Sequence, residues 1–96
     1  MAIQSFGDKI TETFYLSGVI SRNAGWRALA KIAARKLDML NYAKILDDLK
    51  APPSNRLEKL KGNLSLFHSI RINDQWRIVF QWTPNGPVRV KIVDYH

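Results

Sequence analysis

Apolar residues recur along this chain with two different periods, and the switch between them divides it. Trp26, Leu29, Ala33, Leu37 and Leu40 follow one another at steps of three and four, with Arg27, Lys31, Arg35 and Asp38 mostly on the other side. That spacing predicts an amphipathic helix over 26–42, and Ala28, Ala30, Ala33 and Ala34 add high helix propensity. A shorter helix is predicted over 8–17, with Asp8 as N-cap, Ile10, Phe14 and Ser17 at helical spacing, and Gly18 as its stop. Residues 19–25 form a turn, so the two helices make an αα-hairpin. Residues 2–6 can form a brief strand, and 43–50 a short helical turn. Pro52-Pro53 then forbid regular structure, leaving 51–56 as a loop.

Beyond residue 56 the period becomes two. Strands are predicted over 57–61, 66–72, 76–82 and 88–95, separated by Gly62-Asn63, Asn73-Asp74 and Pro84-Asn85-Gly86-Pro87. The short connections make neighbours antiparallel. The expected fold class is α+β: a small twisted antiparallel sheet packed against an N-terminal helical hairpin, as a single domain over 1–96.

Strand parity separates two faces. His68, Ile70 and Ile72, then Trp76, Ile78, Phe80 and Trp82, then Val88, Val90 and Ile92 should meet the helices. The other face carries Ser69, Arg71 and Asn73, then Arg77, Val79, Gln81 and Thr83, then Arg89, Lys91, Val93 and Tyr95. The whole chain has a formal net charge of +7, from 15 Lys and Arg against 8 Asp and Glu. Solubility alone accounts for such an excess, but its concentration on a rigid sheet face points more specifically to a polyanion.

The composition closes other routes. At 96 residues with no cysteine, the chain has room for one modest core and can form neither a disulfide nor a thiolate zinc site. No apolar run is long enough to span a bilayer. The N-terminal Met1 to Phe6 lacks the blocks of a signal peptide, so the expected location is the cytoplasm, with no membrane partner.

The chemistry concentrates at Asp94-Tyr95-His96, which follows the last strand and offers a carboxylate, a phenol and an imidazole. A terminal imidazole is either frayed or a proton donor. Tyr95 shares the parity of the basic face, where it either stacks on a base or covers the sheet, and Asp94 has core parity. A ribonuclease without a metal needs a base for the 2′-OH, cations for the charge developing at phosphorus and an acid for the leaving oxygen. The tail and the basic face together offer those groups, with no metal or other cofactor required. RNA is favoured over DNA because the 2′-OH is an internal nucleophile. His68 has core parity and reads as structural. Asp47-Asp48 are helical neighbours pointing apart.

Three stretches together resemble the HigB-type toxins of the RelE/ParE superfamily, from type II toxin–antitoxin systems. They are Asn55 to Gly62, Ser69 to Phe80, and Val93 to His96. The resemblance runs nearly end to end and implies a RelE-like fold and a toxin that cleaves mRNA in the ribosomal A site. It further implies a helix-turn-helix antitoxin as partner, through which alone the toxin meets operator DNA. The family's active-site pattern falls on Lys61, Arg77, Asp94, Tyr95 and His96. Arg71, Arg56, Lys59, Arg89 and Lys91 are the expected RNA contacts by position. In some members a histidine in the Leu-x-x-Leu-Lys-Gly segment acts in catalysis; here that position is Glu58, a potential general base. Two other classes stay open. One is a toxin of the same fold that poisons gyrase by binding; the other is a plain RNA- or ribosome-binding module.

Overall fold

A computed structural model of the chain describes residues 2–94. The first helix, α1 (Lys9–Ser17), begins and ends where its capping residues dictate. Asp8 is extended and its carboxylate accepts the Thr11 N–H at 2.8 Å, a cap worth about 1 kcal/mol. Gly18 turns left-handed with φ 77°, and its N–H closes on the Phe14 carbonyl. The second helical signal splits in two. A 3₁₀ turn at Arg27–Leu29 leads into α2 (Ala30–Tyr42), and neither N-terminus has a side-chain cap. With no Ser, Thr, Asp or Asn in place to accept the first amides, the entry tightens into i+3 bonds.

The sheet is antiparallel throughout, in the order β1 (Glu58–Lys59), β2 (Phe67–Arg71), β3 (Trp76–Thr83) and β4 (Gly86–Asp94). The pairs Ile70↔Ile78 and Ile78↔Ile92 set its register. Ile70, Ile72, Ile78, Phe80, Val90 and Ile92 bury against Phe14, Trp26, Ala33, Leu37 and Leu40, as their parity predicts. Each such fully buried aliphatic contributes about 1.5–3 kcal/mol. Both helices rest on β4, and the Tyr15 hydroxyl donates to Asp38 at 2.8 Å to tie α1 to α2. Burial and the Asp38 carboxylate together push the Tyr15 phenol well above its usual pKa.

Two expectations are corrected. The segment 57–61 pairs as a strand only at Glu58–Lys59, although the Leu60 amide still donates to the Phe67 carbonyl. Leu57 and Leu60 turn inward instead of alternating. The second correction concerns β4. Val79 pairs with Lys91 while Gln81 pairs with Val88, so Phe80 alone faces two residues, Arg89 and Val90. This is a β-bulge, with Arg89 at φ 55°. The extra residue reverses the parity of everything before it. Val88 therefore stands opposite Gln81 on the far face, and the buried Pro87 opposite Trp82 takes the core side.

The open edge of β4 is sealed by the chain's own beginning. The Gln4 amide donates to the Pro87 carbonyl, Val90 to Ser5, and Gly7 to Val90, while the Arg89 amide finds the Ser5 hydroxyl. Phe6 makes a parallel bridge with Val90. Where this segment turns into α1, the fully buried Thr11 hydroxyl takes over and accepts the Ile92 N–H at 3.1 Å. An edge of bare amides would otherwise invite intermolecular pairing. Thr11→Val keeps the shape and strands the Ile92 amide, so it should cost about 1–3 kcal/mol in urea unfolding. An unchanged midpoint would show that this bond contributes nothing.

Candidate active site

On the sheet face turned away from the helices, register sets Glu58, Ser69, Val79 and Lys91 in one row and Arg71, Arg77 and Val93 in the next. The middle of this face is not the open cationic platform that alternation suggests. Ser69 and Val79 are buried, and Arg77 is only 6% exposed. A guanidinium removed from water must be fully engaged. Arg77 donates from Nε to the Ser69 hydroxyl at 2.8 Å, and from Nη2 to the Arg56 carbonyl at 2.5 Å and the Ser69 carbonyl at 3.3 Å. Its Nη2 also lies 3.5 Å from the Glu58 carboxylate, which is half exposed. Arg77 thus joins β3 to β2 and to the segment entering β1.

That segment is held from the other side as well. Pro53–Asn55 form a 3₁₀ turn after a cis Ala51–Pro52 bond, and Arg56 is left-handed at φ 45°, ψ 57°. Asn55 is fully buried. Its amide donates to the Leu49 and Ala51 carbonyls, and its oxygen accepts from Lys36 of α2 at 2.5 Å. Burial, and secondarily Arg35, pushes the Lys36 ammonium to a lower pKa than usual. Ser69, Asn55 and Lys36 carry no catalytic signature and escape sequence reasoning. A signal for Lys36 existed: it sits at the same helical step as Ala33, Leu37 and Leu40, so a lysine there needed an inward partner.

The remaining candidates divide into three places. Glu58, Lys59 and Lys61, with Leu60 and Leu64, line an open groove of about 530 Å³ along β1. Arg71 lies on the next row and bonds to Asp74 across the β2–β3 turn. Because Asp74 is almost fully exposed, such a pair contributes little and readily yields to a phosphate. Arg56 is exposed, two residues before Glu58 in the chain. The bulge puts exposed Arg89 at the opposite edge of the sheet, against the Ser5 segment, and the stem of Lys91 lies over Gly7. The three strand spacings between β1 and β4 are roughly 14 Å, so Arg89 does not share the groove. Asp94 is exposed at the end of β4, opposite Trp76, where it accepts from Gln75 at 2.9 Å. Tyr95 and His96 lie outside the described residues. Among the described residues, no group of three His, Cys, Asp or Glu side chains could hold a metal ion.

His68 faces the core, as its parity predicts. It stacks near-parallel on Phe80 with centroids 6.1 Å apart, and its Nδ1 is buried without a hydrogen-bond partner. Burial first, and the Lys59 charge second, lower its pKa below the free value of 6.5. The unfolded chain therefore takes up this proton before the folded one does, and stability falls as pH drops through that value. His68→Phe should flatten the stability–pH slope between about pH 5 and 7 and raise the urea midpoint most at the acidic end. An unaltered slope would show that His68 does not titrate with folding.

Comparison with known proteins gives the family. The family model described as the RelE-like toxin of type II toxin–antitoxin system HigB matches residues 4–96. Toxin HigB-1 of Vibrio cholerae serotype O1 is 42% identical over 82 residues, covering 85% of this chain and 84% of that protein. An uncharacterized protein of Haemophilus influenzae is 40% identical over 57 residues, covering 59% of this chain and 56% of its own. By the family match over residues 4–96 and by this identity, the chain belongs to the HigB family of RelE-like toxins of type II toxin–antitoxin systems.

Proposed function

We propose that this toxin stops translation by cutting mRNA on the ribosome, through a phosphodiester cleavage that uses no metal ion. The observation that carries the reading is Glu58. Its half-exposed carboxylate stands 3.5 Å from a fixed guanidinium, on a groove whose other polar walls are Lys59 and Lys61. A carboxylate by itself would repel a phosphate, but placed among cations it can accept a proton while they hold the phosphate.

In this mechanism Glu58 takes the proton of the 2′-OH. The 2′-oxygen then attacks the adjacent phosphorus, and the bond to the 5′-oxygen breaks. The products are a 2′,3′-cyclic phosphate and a 5′-hydroxyl, whose proton comes from the tail, with His96 as donor and Tyr95 beside it. Lys61 and Arg71 offset the charge that develops at phosphorus. Lys59, Arg56 and Lys91 extend the backbone contact, and Asp94 orients the end of β4. A ribosomal substrate places the action in the cytoplasm. The antitoxin of the pair, a helix-turn-helix protein, carries the contact with operator DNA.

Mapping of mRNA 5′ ends after induction tests this. The wild type should give cuts within translated codons, while Glu58→Gln and deletion of His96 should each lower the rate on the order of 100-fold. Equal cleavage by the His96 deletion would remove that residue from the mechanism. DNA breaks trapped on gyrase without mRNA cuts would replace the activity with a gyrase-poisoning one, and salt-sensitive ribosome binding without products would leave only a binding module.

A further inference from the structure

We infer that the open edge of β1, with Leu64 beside it, is a subsite for one unstacked nucleobase of the strand being cut, and that it sets the base preference of the cut. This rests on the proposed ribonuclease reading and deepens it. The two edges of the sheet are treated differently. At β4 the N-terminal segment bonds to the strand from Pro87 to Val90. β1 is the other edge, and there the Leu60 amide donates inward to the Phe67 carbonyl. Bonding direction alternates along an antiparallel strand. The N–H and C=O of Lys59, which precedes Leu60 and stands opposite His68, therefore point away from β2. Among the described residues, no segment outside the sheet makes a backbone bond to them.

The groove lies on this edge. Register puts Glu58 on the outer face with Ser69, and Lys59 on the other face with His68. Both line the same groove, so it straddles the strand and its floor is main chain. Leu64 forms one wall. It is 47% exposed at the end of a 3₁₀ turn over Gly62–Leu64, with its amide on the Lys61 carbonyl. An exposed leucine alone needs no explanation, but this one shares a groove with two exposed lysines and an outward donor–acceptor pair. Those are the groups that hold a splayed-out base: cations for the flanking phosphates, an apolar surface for the ring face, and a donor and acceptor for its edge. A partner strand fits less well. β1 offers it the bonds of one residue, because the Lys61 carbonyl is already taken by Leu64, and lysines on an edge discourage strand pairing.

Two measurements test the subsite. The first maps mRNA cut sites for the wild type, Leu64→Ala, Lys59→Ala and Lys59→Pro. Proline removes the outward amide, a change that an edge strand accommodates, and Lys59→Ala controls for the lost ammonium. Leu64→Ala and Lys59→Pro should each flatten the base preference by roughly tenfold, at the same single position relative to the cut. Lys59→Ala should lower cutting alike at all sites. A wild type without base preference, a preference unchanged in Leu64→Ala, or a uniform loss in all three variants would overturn the inference. Should Lys59→Pro fail to fold by circular dichroism, the surface variant Leu64→Ala still decides. The second measurement is independent of cleavage: fluorescence anisotropy of a short labelled single-stranded RNA and of its abasic counterpart. Leu64→Ala should weaken binding of the intact strand several-fold and leave the abasic one unchanged, and equal weakening of both would overturn the subsite. Dimerisation of the wild type that Lys59→Pro abolishes would give the edge to strand pairing between copies and overturn it as well. If the wild type cuts no mRNA, the proposed activity fails, and the anisotropy comparison still decides whether Leu64 meets a base.

Discussion

A buried arginine, Arg77, organises this molecule. Arg77 sits in the middle of a sheet face that elsewhere would be left to water, and desolvating it is tolerable only because several acceptors converge on it. Those acceptors lie on two stretches of chain: Ser69 on the neighbouring strand β2, and the segment that carries the Arg56 carbonyl and the Glu58 carboxylate. To supply them, the segment after the double proline must turn left-handed and then lie along β2.

The same segment is clamped from the opposite layer. Asn55 is buried toward α2 and held by Lys36, while the next residue turns its carbonyl to Arg77 on the far face. Consecutive residues thus connect the helical layer, the loop and the sheet face that carries the groove. At the other edge an equivalent economy operates. The N-terminal residues and Thr11 satisfy the amides of β4, and the bulge at Arg89 bends the strand to meet them. The groove is therefore built on the β1 side of the sheet, while the edge of β4 from Pro87 to Ile92 holds the fold closed.

Much of the fold was legible in the residues. Asp8 and Gly18 mark the ends of α1 because each satisfies helix-terminal groups by local geometry alone. The isoleucines at 70, 72, 78 and 92 reveal the core face because alternation has a period that burial enforces. Alternation failed at Val88, where the bulge inserts a residue, and at 57–61, where Leu57 and Leu60 both turn inward. In the site, Glu58, Lys59 and Lys61 could be recognised as neighbours because they are close in sequence. Arg77 could be named but not understood. Parity assigns a side chain to a face and says nothing about whether that face is covered.

What the sequence by itself determined is whatever depends on near neighbours: capping, helical and strand periods, the basic excess, and the run that supplies the groove. Only the tertiary structure decided which cation is free and which is spoken for. The arginine at 77 and the lysine at 61 look alike as letters, both basic and both beside apolar residues. One meets the Ser69 hydroxyl eight residues away and the Arg56 carbonyl twenty-one residues away, and the other is left in solvent. The difference arises because the free energy of a charge depends on the polar groups around it, and those groups are assembled by register and loop closure rather than by order along the chain.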